Sequence, residues 1–204
     1  MNIVINVPED TIKELEKRLD EVNRKPKSVI KTAVNNTSKK AQSLLAQKAS
    51  KVYAGKVSQK GSVLSASEIQ KASTDTLSAI IKFRSPVHEI KEFHVSSLSI
   101  SKTTYRKNGK RGGRKIKGNV LKGSSKPLDA FVVQFKNGHI SVVSRVPGSK
   151  MKSNPKKEKL RKLLSPSYPI MIKSEKVYEE TSGEIANILS DQVAKIMDKV
   201  LGGK

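Results

Sequence analysis

The sequence predicts an α+β fold: an antiparallel sheet containing a hairpin over residues 131–146, packed by N-terminal and C-terminal helices, with an extended basic arm. Three observations predict it. Apolar residues recur at spacings of three and four near both ends, and they alternate with polar residues through the middle. One stretch of that middle is almost purely Lys, Arg, Gly and small polar residues. The 204 residues are read as one domain over 1–204, with 103–128 a flexible Gly-rich arm.

The elements follow in order. Ile3, Ile5 and Val7 alternate with their neighbours, a short strand signal that Pro8 breaks. Glu9 and Asp10 favour a helix N-terminus, and Ile12, Leu15, Leu19 and Val22 then form one stripe to about Asn23. Pro26 suits the first turn of a helix whose buried face runs from Val29 and Ile30 through Ala33, Val34, Thr37 and Ala41 to Leu44 and Leu45. Two helices and one long helix kinked near Pro26 both fit. Ser65-Ala-Ser-Glu68 has the form of a capping box before a short helix through Ile69 and Ala72. Leu77, Ala79, Ile81 and Phe83 read as a strand, as do Phe93 and Val95, with Leu98–Ser101 a weaker continuation. Phe131–Phe135 and Ile140–Val146 are strongly β, and Asn137-Gly138 between them predicts a two-residue hairpin turn with both residues at positive φ. Residues 147–162 read as a basic, Pro/Gly-rich connection, and Pro166-Ser-Tyr-Pro169 as an extended or turning segment. Ile185, Ile188, Leu189, Val193, Ile196, Met197 and Val200 predict a last helix, stopped by Gly202-Gly203.

Composition narrows the function. The net charge is +23 and the pI about 10.2, which admits nucleic-acid binders, membrane-surface binders and components of charged assemblies. The apolar fraction is 35%, so the core is expected to be thin and oligomerisation to supply part of the stability. No apolar run exceeds four residues, which predicts neither a membrane span nor an export signal. Cysteine is absent, which excludes disulfides and thiolate metal sites and is compatible with cytoplasmic synthesis. Aromatics are 4% and Trp is absent, which argues against base-stacking readers of single strands.

The charge is segregated. Residues 1–50 hold ten basic and six acidic side chains, and residues 168–201 hold four and six. Residues 93–128 hold ten Lys and Arg with no Asp or Glu. That stretch lacks the apolar area to offset its own ordering entropy. Three readings compete for it: a solubilising loop, a nucleic-acid contact, and docking on acidic protein surfaces. Of the three histidines, His88 and His94 would share a strand face with Glu92, a conceivable metal trio, but a solvated surface strand is the plainer reading. His139 follows the turn and is expected at the surface. The sequence has no Gly-x-Ser-x-Gly elbow and no phosphate-binding Gly-Lys loop, and its carboxylates lie almost wholly on the terminal helices. No enzyme, cofactor or metal is expected.

Three blocks carry a resemblance. They are Ala130-Phe-Val-Val-Gln-Phe-Lys-Asn-Gly-His139, Val142-Val-Ser-Arg-Val146 and Leu163-Leu-Ser-Pro-Ser-Tyr-Pro-Ile-Met171. In this order, before a C-terminal helix, they resemble the minor tail protein Z family of tailed bacteriophages and prophages. Ser165 stands where the family has Gly, and Arg161-Lys162 where it has Pro-Ile. The resemblance covers about a third of the chain and includes no chemical motif.

The resemblance implies a structural virion protein, assembled in the bacterial host cytoplasm. It would complete the head-proximal neck or collar of a tail or tail-like particle as a homo-oligomeric ring. Its partners would be the tail terminator and tail tube proteins, with non-specific DNA contact an accessory expectation and no membrane. The expected contact residues are Arg106, Lys107, Lys110, Arg111, Arg114, Lys115 and Lys117 in the arm, then Arg145, Lys156, Lys157, Lys159, Arg161 and Lys162. The rival reading is a basic nucleic-acid-binding protein of ribosomal or nucleoid type, in which the same cations neutralise phosphates.

Overall fold

The computed structural model describes residues 1–20, 26–98 and 116–202. The α+β expectation holds: five helices accompany several antiparallel sheets among these residues. The chain divides into two compact units, Met1–Ser50 with Gln59–Ser85 and Tyr168–Lys204, and Lys51–Ser58 with Pro86–Ser167.

The first unit holds β1 (Asn2–Asn6), α1 (Glu9–Asp20), most of α2 (Pro26–Val52), α3 (Lys60–Ser65), β2 (Ser67–Gln70), β3 (Ser78–Phe83), α4 (Tyr168–Lys173) and α5 (Tyr178–Leu201). Its sheet runs β1-β3-β2, all antiparallel, so β3 is central. One face of β3, Ala79, Ile81 and Phe83, is fully buried. Ile81 and Ala79 lie opposite Ile3 and Ile5 of β1, which places four apolar side chains on one face. α2 buries a wide stripe that includes Ala33, Ala41, Ala46 and Ala49. Asn35 anchors this helix like a peptide group: Ala72 N–H donates to its Oδ1 at 2.8 Å, and its Nδ2 donates to Ala72 O at 3.2 Å. Seven residues on, Gln42 Nε2 donates to Ser67 Oγ at 2.8 Å.

Two expectations in this unit are corrected. Ser65-Ala-Ser-Glu68 does not begin a helix. Ser65 ends α3, and Ser67–Gln70 is the edge strand β2, because Ile69 finds Ile81 across the ladder. Tyr168-Pro169 opens α4, with Pro169 in a first turn where its missing N–H costs nothing.

The second unit holds β4 (His88–Glu89), β5 (His94–Val95), β6 (Ile116–Asn119), β7 (Lys126–Leu128), β8 (Phe131–Gln134), β9 (Ile140–Met151), β10 (Asn154–Lys162) and β11 (Leu164–Ser165). They form three small sheets: β10-β9-β8, β5-β6-β7 and β11-β4. Ile90, Ile116 and Val142 are buried together, with Val95, Leu128, Ala130, Val132 and Leu163 packed on them. This core is thin. Residues 88–94 are not one strand, because a 3-10 turn over Ile90–Glu92 separates β4 from β5. Residues 116–128, assigned by composition to the arm, contain paired strands, while residues 103–115 lie outside the described residues. Residues 147–162 are not a loose connection: they complete β9 and form β10.

The 131–146 hairpin is present, with Phe131 opposite Val143 and Gln134 opposite Ile140. Its turn differs from the expected type. Gly138 N–H donates to Phe135 O at 2.9 Å, Phe135 N–H donates to His139 O at 2.8 Å, and Gly138 alone has positive φ, +81°. This is a three-residue loop, a turn over Lys136-Asn137 followed by a left-handed glycine.

Gly138 and Gly55 (φ +87°) make a matched pair, since a Cβ at Gly138 meets nothing within 4 Å whereas one at Gly55 falls 2.3 Å from Phe93 Cα. Gly138→Val is expected to cost about 1–2 kcal/mol, the backbone strain alone. Gly55→Ala is expected to cost about 1–3 kcal/mol more than Gly138→Ala, through the backbone clash. Urea melts of the variants measure both, and equal losses for the two alanine variants would refute the close approach.

Candidate functional site

β9 is twelve residues long while β8 covers only its first four, so β9 and β10 continue as a two-stranded ribbon. Between Lys150 and Lys162 seven Lys and Arg accompany one acid, Glu158. The strand signal was invisible because alternation here is between exposed cations and half-buried Glu158 and Leu160, not between polar and apolar. Pro155 and Gly148 (φ +73°) fall within a stretch of irregular register, where proline and glycine are tolerated.

The ribbon brings together the second group of expected contact residues. Lys156, Lys157, Lys159 and Arg161 are exposed on β10. Arg145, exposed on β9, lies opposite Leu160, and its guanidinium sits 5.2 Å from the centre of the Phe131 ring. Lys117 is exposed on β6, away from the ribbon in sequence and sheet. Arg106, Lys107, Lys110, Arg111, Arg114 and Lys115 lie outside the described residues. Among the described residues, Lys156, Lys157, Lys159 and Arg161 make no ion pair.

Lys162 behaves differently. At the end of β10 its Nζ donates to Glu89 Oε1 at 2.8 Å and lies 5.7 Å from the Phe135 ring centre. Glu89 is the hub of a cluster that the sequence did not reveal. Ser141 Oγ donates to Glu89 Oε2 at 2.6 Å, His139 Nε2 lies 3.0 Å from Oε1, and Lys91 Nζ is 3.7 Å from Oε2. His139 is therefore not a free surface histidine: it bonds Glu89 and stacks on Phe135 at 6.1 Å. Glu92 accepts from the Glu89 N–H at 3.1 Å and bonds His88 Nδ1 at 2.9 Å, and His88 is buried, not solvated. One sequence signal pointed here. Glu89 is one of four acids between residues 86 and 167, against twenty Lys and Arg, so its cationic neighbours had few other internal counter-ions.

Burial of Glu89, with its side chain 14% exposed, raises its pKa. The hydrogen bonds from Lys162, Ser141 and His139 and the charge of Lys91 outweigh that and hold the carboxyl down at about 2. Such a carboxylate is a weak base. A nucleophilic triad also requires the imidazole between hydroxyl and carboxylate. Here the carboxylate lies between them, and Ser141 is fully buried. The cluster fastens β4, the 135–139 turn and the one end of the β9–β10 pair where β9 begins and β10 finishes; it is not arranged for acyl transfer. Among the described residues no group of three or more His, Asp or Glu is placed to hold a metal ion, and no helix is long and apolar enough to cross a membrane.

Compared with known families, the chain matches the one described as prophage minor tail protein Z over residues 9–201. No curated protein and no solved structure matches it.

The Glu89 cluster gives a signed pH dependence. The folded pKa lies below the ordinary 4.5, so the stabilisation is complete above about pH 4.5 and is lost as pH falls toward 2. Glu89→Gln is expected to lower stability by about 3 kcal/mol at pH 7. Urea midpoints of wild type and variant should converge as pH falls from 4.5 to 2. A gap that persists unchanged at pH 2 would show that packing, not charge, holds the site.

Proposed function

The chain belongs to the prophage minor tail protein Z family and is a structural component of a phage tail, and from that premise we propose that it completes the head-proximal end of the tail as a homo-oligomeric ring, beside the tail terminator and the last tube subunits. The role is non-enzymatic. The observation that carries it is the unneutralised cationic ribbon of β9–β10 on a chain whose terminal segment, residues 168–201, carries six acids and four bases. A ring repeats one heterologous contact, so each subunit must present two different complementary surfaces. Basic and acidic surfaces separated within one chain meet that requirement, and they set orientation and encounter rate more than raw affinity. The thin core of the second unit agrees with a subunit that buries further surface on assembly.

The same ribbon favours the nucleic-acid reading only through its charge and its two-stranded form, which a major groove admits. A basic protein without base readout binds duplex at roughly 10⁻⁴ to 10⁻⁶ M near physiological salt.

Electron microscopy of tails carrying an epitope-labelled copy separates the placements. Label is expected at one end only, the end that joins the head. Label at the baseplate end, or along the whole tube, would overturn the placement, and nanomolar sequence-selective duplex binding would favour the rival.

A further inference from the structure

α5 carries an acidic stripe on its solvent side. Glu180, Glu184, Asn187, Asp191, Ala194 and Asp198 are spaced by four, three, four, three and four residues, and all six are exposed. This is one face of a helix, opposite the apolar stripe that contains Val193 and Met197. Glu180 is partly engaged, since Lys48 Nζ donates to its carboxylate. Among the described residues, Glu184, Asp191 and Asp198 make no ion pair.

The ribbon carries the matching pattern. Lys157, Lys159 and Arg161 alternate with the half-buried Glu158 and Leu160, so they share the outer side of β10. Alternate residues of a strand repeat at about 7 Å, so these three cations span about 14 Å. Residues four apart on a helix repeat at about 6 Å, and Glu180 to Asp191 spans about 16 Å. The two rows agree in length and are opposite in sign, and the interval from Glu180 to Glu184 is close to the repeat of the cations, while Glu184 to Asp191 is longer, about 10 Å.

We propose that the outer side of β10 docks along the acidic stripe of α5 of a second copy of this chain. This rests on the ring reading and names its contact. Lys157, Lys159 and Arg161 face Glu180, Glu184 and Asp191, and Lys162 stays on its own Glu89. The contact joins two different surfaces, so it propagates from copy to copy and closes when the rotation per subunit permits. Mostly electrostatic, it weakens as salt shortens the screening length.

The chain has no cysteine, so introduced thiols report single contacts. With the full chain carrying Lys159→Cys and Glu184→Cys together, oxidation is expected to give a ladder of covalent oligomers, both in solution and in purified tails. Each single variant alone is expected to give none. Reversing the ribbon by Lys157→Glu, Lys159→Glu and Arg161→Glu should weaken self-association, followed by sedimentation velocity, by at least about tenfold. Its melting temperature should not change, since all three residues are exposed. Reversing the helix by Glu184→Lys and Asp191→Lys should do the same. Combining both reversals on one chain should restore association, an outcome that a merely structural defect cannot give. Oligomers of normal size from the ribbon-reversed chain, with no ladder from the thiol pair, would overturn the contact and leave the ring reading intact. A chain that remains monomeric at every concentration and gives no ladder in tails would overturn both. Self-association unchanged by reversal, with binding to a random duplex lost, would make the ribbon a nucleic-acid surface instead.

Discussion

In the second unit the structure depends on charge compensation at Glu89. Between residues 86 and 167 four carboxylates stand against twenty Lys and Arg, and among the described residues there the buried apolar side chains are Ile90, Phe93, Ile116, Val142 and Val143. A core of that size leaves little margin against the entropy of ordering many short strands. Glu89 sits on a two-residue strand and binds a residue at the start of β9, a residue beside the turn, and the last residue of β10. Removing one partner of such a network costs more than the pair contributes, because the remaining buried charge is left uncompensated. Lys162 thus belongs to the fold, whereas its neighbours on β10 are free to serve as surface.

The first unit is held by a different device. Its long helix buries alanines along much of its inner face, which lets backbones approach closely but leaves the helix free to slide. Asn35 and Gln42, seven residues apart and therefore on one face, fix the register by bonding residues 72 and 67. Asn35 completes both backbone groups of Ala72, beyond the end of β2, that would otherwise be unpaired. Specificity here comes from a few polar contacts on an otherwise smooth apolar surface.

How much of this was legible in the sequence follows from what generates each element. α1, α2 and α5 were readable because the periodicity of a buried helix face is written in consecutive residues. The hairpin was readable for the same local reason, though its turn type was not: Asn137-Gly138 satisfies several loops, and only the pairing of Phe135 with His139 selects among them. Ser65-Ala-Ser-Glu68 fits a capping pattern, but the four residues from Ser67 gain more from the ladder with β3 than from starting a short helix. The ribbon hid because the half-buried side of β10 holds Glu158 beside Leu160, so no polar–apolar alternation is written there. Of the expected contact residues, those on β10 are brought together, and six of the arm's seven lie outside the described residues. The Glu89 cluster hid because its partners other than Lys91 lie 50 or more residues from Glu89, and nothing local announces that 89, 141 and 162 converge.

The two kinds of cation on β10 connect stability to assembly. Lys162 is partly shielded, paired and placed over an aromatic ring, so its charge is spent within the fold. Lys156, Lys157, Lys159 and Arg161 repel one another in water and stabilise nothing in the isolated chain, since exposed cations in a row only raise the self-energy of the compact state. A sequence free to relax that repulsion could place acids opposite them on β9, where cross-strand pairs would be favourable, yet Arg161 faces Ser144 and β9 contains no acid from Ile140 to Met151. The acids are concentrated elsewhere, six of them between residues 168 and 201. Charge separated in this way disfavours the lone molecule slightly and favours any arrangement that brings the two rows together. The contact proposed between copies draws on that separation.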